Sequence, residues 1–303
     1  MRQYPSPAAF RAAIATRLRT HARRVGVPVQ VVRRQAALER LMARLASVAP
    51  GRWALKGGLA LDTRLPEHAR ASMDLDIDHV LGAAAARDDL LRAAAEDLGD
   101  HFAFAILGTE ELQEGGRRLA LRYRFEASVA GVAFEPLQVD VTTLAPEVWE
   151  VEPAQRPGLL SDVGLGPIEV MLVPLERQVA EKLHAYTRRY NGESTRVRDL
   201  VDLVIIRLFE TVDARRLRDE ITRTFAGRGT HPAPDKLPAP PADWARAYTE
   251  EAQAIGIPAA LADGYSLVAT WLDPVLQGTA RGVWHPKRQV WGPLPTVTAP
   301  RRA

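Results

Sequence analysis

Residues 55–80, LKGGLALDTRLPEHARASMDLDIDHV, constrain this chain more than any other stretch. The acidic run Asp74-Leu75-Asp76-Ile77-Asp78 alternates with period two. Side chains on a strand alternate between faces, so all three aspartates point one way and Leu75 and Ile77 the other. Aspartate forms strands poorly, and carboxylates lined up on one face repel. A divalent cation resolves the conflict, because Mg²⁺ is a hard ion that takes carboxylate oxygens together with substrate phosphates. The plainer alternative is a solvated strand edge with incidental acids, and an Asp-x-Asp motif alone does not choose between the two. Upstream, Gly57 and Gly58 mark a turn. Gly58 opens a short helix over 59–65, whose first amides are open to an anion.

A second acid repeats the pattern. In LQVDVTT (137–143), Gln138, Asp140 and Thr142 lie on one side of a strand and Val139 and Val141 on the other. A sheet can set Asp74, Asp76 and Asp140 side by side. Three carboxylates are enough to hold two Mg²⁺ ions around a triphosphate, one activating the attacking hydroxyl and one neutralising the leaving pyrophosphate. Taken alone, Asp140 reads equally as a strand-edge acid. Ser72 shares the strand face of Asp74, either as a phosphate contact, as a modification site or as an ordinary strand-start hydroxyl.

Basic residues are almost all arginine, which GC-rich codons would produce, so the arginine excess says little about nucleic acid. The net charge is only +3. Lysine occurs four times, at Lys56, Lys182, Lys236 and Lys287, and these positions gain interest for that reason. Lys182 borders the apolar stripe of a helix. It either buries its stem and snorkels or presents a compact point charge to a phosphate. Asp199 and Asp202 are one turn apart on the next helix, where Arg198 and Asp202 could form an exposed ion pair.

Several chemistries are excluded. The chain has no cysteine, hence no disulfide framework and no thiolate site. Its seven histidines show no zinc spacing. Lys56-Gly57-Gly58 lacks the ending of a Walker A loop, and no nucleophile elbow supports a serine triad. No apolar run approaches the ~18 residues of a membrane span. The first residues carry no apolar signal region, so the expected location is the cytoplasm.

Periodicity predicts helices over 8–24 and 31–46, a strand over 72–80, a helix over 83–99, and strands over 101–108, 118–129 and 132–143, the last broken at Pro136. A turn falls at 113–116. After a last strand near 169–172 the pattern turns helical, with Ser194 or Thr195 capping one helix. Trp284 and Trp291 fall in irregular structure. The expected class is α+β, a mixed sheet flanked by helices, with a mostly helical C-terminal domain. The expected domains are N-terminal helices over 1–50, a core over 51–167 and a helical domain over 168–303 that contains a Pro-rich segment, 228–241.

Together these stretches resemble the AbiEii/AbiGii-type nucleotidyltransferase toxins, including MenT-like members, of the DNA polymerase β-like superfamily. The resemblance rests on LKGGLALDTRL (55–65), RASMDLDID (70–78), LQVDVTT (137–143), AEKLHAY (180–186) and RVRDLVDL (196–203), with support from VVRRQAALERLMARL and LPAPPADW. It implies a nucleotidyltransferase fold and a toxin encoded beside a cognate antitoxin. It also implies Mg²⁺ (or Mn²⁺) with a nucleoside triphosphate, and transfer of a nucleoside monophosphate to an acceptor, a tRNA 3′ end in MenT-like members. By position, Gly57 and Gly58 match the phosphate turn, Asp74 and Asp76 the paired metal ligands, and Asp140 the third acid. Lys182 matches the helical lysine, and Arg196 and Asp199 the Arg-x-x-Asp motif. Asp78 falls outside the pattern and reads as expendable. Gly58 stands where related enzymes have serine, so phosphate contact would come from backbone amides, with Ser72 helping. A phosphotransferase on the same fold and a non-catalytic nucleic-acid-binding module are the alternatives.

Overall fold

The structure, a computed structural model, describes residues 4–68, 72–114, 117–143, 149–188 and 196–293. The chain divides into two compact units, Met1–Glu67 with Ala71–Pro174, and His68–Arg70 with Leu175–Ala303.

The first unit is built on one sheet. Its strands are β1 (Trp53–Leu55), β2 (Leu75–His79), β3 (Phe102–Glu114), β4 (Arg117–Val129), β5 (Val132–Thr143), β6 (Glu152–Arg156) and β7 (Ile168–Leu172), in the order β3-β4-β5-β2-β1-β7-β6. β3, β4 and β5 form an antiparallel meander, β2 runs parallel to β5, and β1 pairs antiparallel with β2 and parallel with β7. The sheet is therefore mixed, as the residue pattern predicts. Tyr123, Phe125, Ala127, Leu137, Val139 and Val141 bury one face of the meander. Each such large apolar side chain contributes about 1.5–3 kcal/mol on full burial. The opposite positions, Arg122, Arg124, Gln138 and Asp140, are partly or fully exposed.

Among the described residues four α-helices belong to this unit: α1 (Pro7–Val25), α2 (Val29–Val48), α3 (Gly57–Arg64) and α4 (Ala83–Ala95). Ser6 caps α1 by accepting the Ala9 N–H, and Gly26, in the left-handed region, ends it. α2 lies against β5, β7, α1 and α4. Its buried Arg44 is satisfied by Asp100, at 2.7 and 3.0 Å, and by the Phe102 carbonyl, at 2.7 Å.

Two local expectations are corrected. β2 begins at Leu75, so Ser72 and Asp74 precede the strand rather than sharing its face. β5 runs unbroken through Pro136, which pairs with Glu126 of β4. β2 pairs only with residues 139–143 of β5, so the missing N–H of Pro136 falls where no ladder on that side needs it. β6, with the sequence Glu-Pro-Ala-Gln-Arg, carries no apolar alternation and is an edge strand. In the 113–116 turn, Gln113 and Glu114 end β3; Gly115 and Gly116 lie outside the described residues.

The second unit contains α5 (Leu175–Thr187), α6 (Val197–Phe209), α7 (Ala214–Arg228), α8 (Ala245–Ile255) and α9 (Leu261–Leu276). α6 packs on α5, α8 and α9, and an unbroken run from Leu203 to Ile206 is fully buried, as expected of a helix apolar on all sides. Ser194 and Thr195, the expected caps, lie outside the described residues. The Pro-rich segment is tied down by Tyr186 Oη donating to the Pro238 carbonyl and Tyr265 Oη to the Leu237 carbonyl. The tail is regular after all: β8 (Val283–His285) and β9 (Val290–Gly292) form a hairpin that sets Trp284 opposite Trp291. Trp284 Nε1 donates to the Arg207 carbonyl and Trp291 Nε1 to that of Trp271, which holds the two indoles in place.

Candidate active site

The site in the first unit starts where β1 ends. The Lys56 N–H donates to the Asp76 carbonyl at 3.0 Å, carrying the β1–β2 pairing one residue past the strand. Gly57 then turns with φ +62°, and a Cβ placed on it would overlap Asp76 Oδ2. Glycine is thus required twice, for the left-handed backbone and for the room a carboxylate occupies. α3 starts on this residue, with Gly58 buried in its first turn.

Strand register assembles the charges. Asp76 faces Asp140 across β2 and β5, Arg122 faces Asp140 across β4 and β5, and Glu110 faces Arg122 across β3 and β4. Directly paired residues share a sheet face, so Glu110, Arg122, Asp140 and Asp76 form one row across four strands. Arg122 grips Asp140 with both prongs, Nε to Oδ1 at 2.8 Å and Nη2 to Oδ2 at 2.7 Å. That hydrogen bonding raises the Arg122 pKa, and the charges of Asp140, Asp74 and Glu110 add to the effect against the opposing cost of burial.

Two residues along β2 the environment reverses. Asp78 is fully buried, with Lys56 Nζ 2.6 Å from its Oδ1. The same ammonium donates to Thr142 Oγ1 at 2.8 Å. Asp78 is therefore the counter-ion of a buried lysine, and its removal cannot be neutral for the fold. Ser72 is buried too and donates from Oγ to the Asp74 carbonyl at 3.3 Å, a local bond just ahead of β2.

The donors Asp74, Asp76 and Asp140 offer hard carboxylate oxygens, the chemistry a hard divalent cation requires. Among the described residues, however, no three acidic or histidine side chains stand arranged to hold a metal ion. Asp140 gives both its oxygens to Arg122. Arg122 is the residue that the sequence reading missed. Matching the apolar alternation of β4 (Tyr123, Phe125) to that of β5 (Val139, Leu137) on one face sets Arg122 opposite Asp140, and this was the available signal.

The second unit holds the remaining candidates. Lys182, on α5, is buried with Nζ 2.5 Å from Asp202 Oδ2 and 3.9 Å from Asp199 Oδ1. Arg196 precedes α6 and reaches Asp199 Oδ2 at 3.1 Å, so the Arg-x-x-Asp motif closes as an ion pair. The direct partner of the lysine is Asp202, the acid that the resemblance did not select. The surface pair expected between Arg198 and Asp202 does not form. Asp202 is fully buried, and Arg198 bonds Glu251 at 2.7 Å. Of the four lysines, Lys56 and Lys182 are buried in ion pairs, whereas Lys236 and Lys287 are exposed. Among the described residues no helix is long and apolar enough to cross a membrane.

Comparison with known proteins points the same way. The family model described as "Nucleotidyl transferase AbiEii toxin, Type IV TA system" matches residues 40–263. The nucleotidyltransferase toxin MenT4 of Mycobacterium tuberculosis H37Rv superposes with a TM-score of 0.57 at 20% identity, over 86% of this chain and 89% of that one. That likeness is one of fold. An antigenic nucleotidyltransferase-like protein of Paracoccidioides brasiliensis aligns at 14% identity over 65% of this chain and 89% of its own, with a TM-score of 0.34. No curated protein matches the sequence.

Proposed function

The chain belongs to the AbiEii nucleotidyl transferase toxin family of type IV toxin–antitoxin systems, and from that premise we propose that it moves a nucleoside monophosphate from a nucleoside triphosphate to the 3′ end of a tRNA. The observation that carries this reading is the pairing of Asp76 with Asp140 in register, beside a glycine that has no room for a side chain. In the reaction the acceptor hydroxyl oxygen bonds to the α-phosphorus, and the bond to pyrophosphate breaks. The hydroxyl proton leaves to solvent or to Asp140.

Asp74 and Asp76 would hold divalent metal, Mg²⁺ or Mn²⁺, with Asp140 as third ligand. When bound, the metal activates the acceptor hydroxyl and neutralises charge on the pyrophosphate. The amides at the head of α3, from Gly57 and Gly58 onward, receive phosphate oxygens at a helix N-terminus. Asp140 orients the acceptor hydroxyl. Within the second unit Lys182 is the candidate phosphate-binding cation, with Asp202 and Asp199 fixing its ammonium and Arg196 steadying Asp199. Ser72 supports the loop ahead of Asp74. Exposed Arg19, Arg23 and Arg24 on α1 contribute salt-sensitive attraction for an RNA backbone. The partner that restrains this activity in the cell is the cognate antitoxin.

The test is to incubate the purified chain with total tRNA, Mg²⁺ and each α-³²P-labelled triphosphate. Label should enter RNA and vanish in Asp74→Ala and Asp76→Ala. Label entering only from the γ-position would replace this reading with phosphoryl transfer, and tight RNA binding without transfer would replace it with a binding role.

A further inference from the structure

Resting on that reading, we propose that Arg122 is a built-in counter-cation that competes with the divalent metal for Asp140 and so sets the metal affinity of the site. Both oxygens of Asp140 are taken by the guanidinium at 2.7 and 2.8 Å. The fork takes one lone pair from each oxygen and sets a positive charge beside those that remain, so fork and metal oppose one another at this residue. The row across the sheet also gives the arginine a second place to go. Glu110 flanks Arg122 on β3 as Asp140 flanks it on β5, and directly paired side chains on one face lie about 4.5–5.5 Å apart at Cβ. The guanidinium moves from Asp140 to Glu110 when metal arrives, staying charged and paired throughout. Without metal, the same fork offsets the repulsion between Asp140 and Asp76, which the register sets side by side.

A residue that merely braced the sheet would weaken metal binding when altered. This arrangement predicts the opposite sign at Arg122 and a different sign at its neighbour. Mn²⁺ binding by the full chain, without nucleotide or RNA, is read by electron paramagnetic resonance and titration calorimetry, with circular dichroism confirming each fold. Arg122→Gln should tighten Mn²⁺ binding about tenfold, as expected for removing a competing pair of charge-assisted bonds. Arg122→Lys, which keeps the charge and loses the fork, should fall between the two. Glu110→Gln should weaken binding severalfold, because the displaced arginine loses its alternative partner. In an Asp140→Asn background, Arg122→Gln should no longer tighten binding. Saturable Mn²⁺ binding that Asp74→Asn abolishes but Arg122→Gln leaves unchanged or weakens overturns the competition alone. Absence of saturable binding in every variant overturns the metal reading as well.

Discussion

Both units bury a lysine against an aspartate, but the surroundings of the two pairs differ. Lys56 meets Asp78 and a hydroxyl, that of Thr142, inside the sheet. Lys182 meets Asp202, then Asp199 at longer range, and Asp199 in turn meets Arg196. Side-chain exposure along this second chain of charges rises from 0% at Asp202 through 7% at Lys182 and 13% at Asp199 to 33% at Arg196. The first pair adds a hydroxyl to the lysine's counter-ion. The second is the inner end of a charge path that leads to the surface. A buried lysine is therefore not by itself a functional one; the partners beyond its counter-ion, a hydroxyl at Lys56 and further charges at Lys182, separate the two.

The largest expected effect breaks both pairs alike. Asp78→Ala and Asp202→Ala each leave a buried ammonium without its partner and should lose about 3–5 kcal/mol of stability, measured by urea denaturation of the full chain. Replacing both members then separates the pairs. Lys56→Met with Asp78→Leu should recover most of that loss together with nucleotidyl transfer. Lys182→Met with Asp202→Leu should recover stability but leave transfer at background. Equal recovery of activity in both would remove the functional distinction. Next in size, Gly57→Ala strains a left-handed backbone and pushes on Asp76, which should cost about 1–3 kcal/mol in a melting experiment and reduce transfer more than stability.

The smallest effects are in pH, and their signs oppose between the units. Burial, only partly offset by Arg156, pushes Glu39 in the first unit up to about 7 from 4.5. The folded chain thus keeps a proton that the unfolded chain releases, and stability from Glu39 is full below pH 4.5 and lost as pH rises through about 7. Burial, with the charge of His231 next, lowers His184 in the second unit to about 4 from 6.5. Its contribution is full above pH 6.5 and lost as pH falls towards about 4. Thermal melts across this range should show Glu39→Gln flattening the alkaline limb and His184→Phe the acidic one.

How much was legible depends on which interactions are local. Alternation in LDID and QVDVT sets the acids on one face because a strand imposes period two regardless of its neighbours. Gly57 was readable as a turn, but not as a contact with Asp76, which depends on β1 and β2 pairing. Asp78 could not be told from Asp76, because their alternation is identical and only the depth of the sheet separates them. Arg122 was hidden twice. Arginine is common in this chain, and the β4–β5 register shifts by one between Ala127 and Ser128. Counted back from the turn without that shift, Arg122 would face Val139. Alternation carries Ser72 and Asp74 into the strand pattern because it extends past the point where pairing stops.

That one-residue shift gives the β4–β5 hairpin something like a reading frame. The unpaired residue lets Arg122 face Asp140 rather than Val139, so the bulge as well as the turn sets which β5 residue meets the arginine, and a single insertion or deletion between the bulge and Asp140 would turn the acid towards the apolar layer. A change of length confined to the turn at Ala130 and Gly131 would leave the pairs beyond it in place, so the two ends of this hairpin differ in how freely their length can vary.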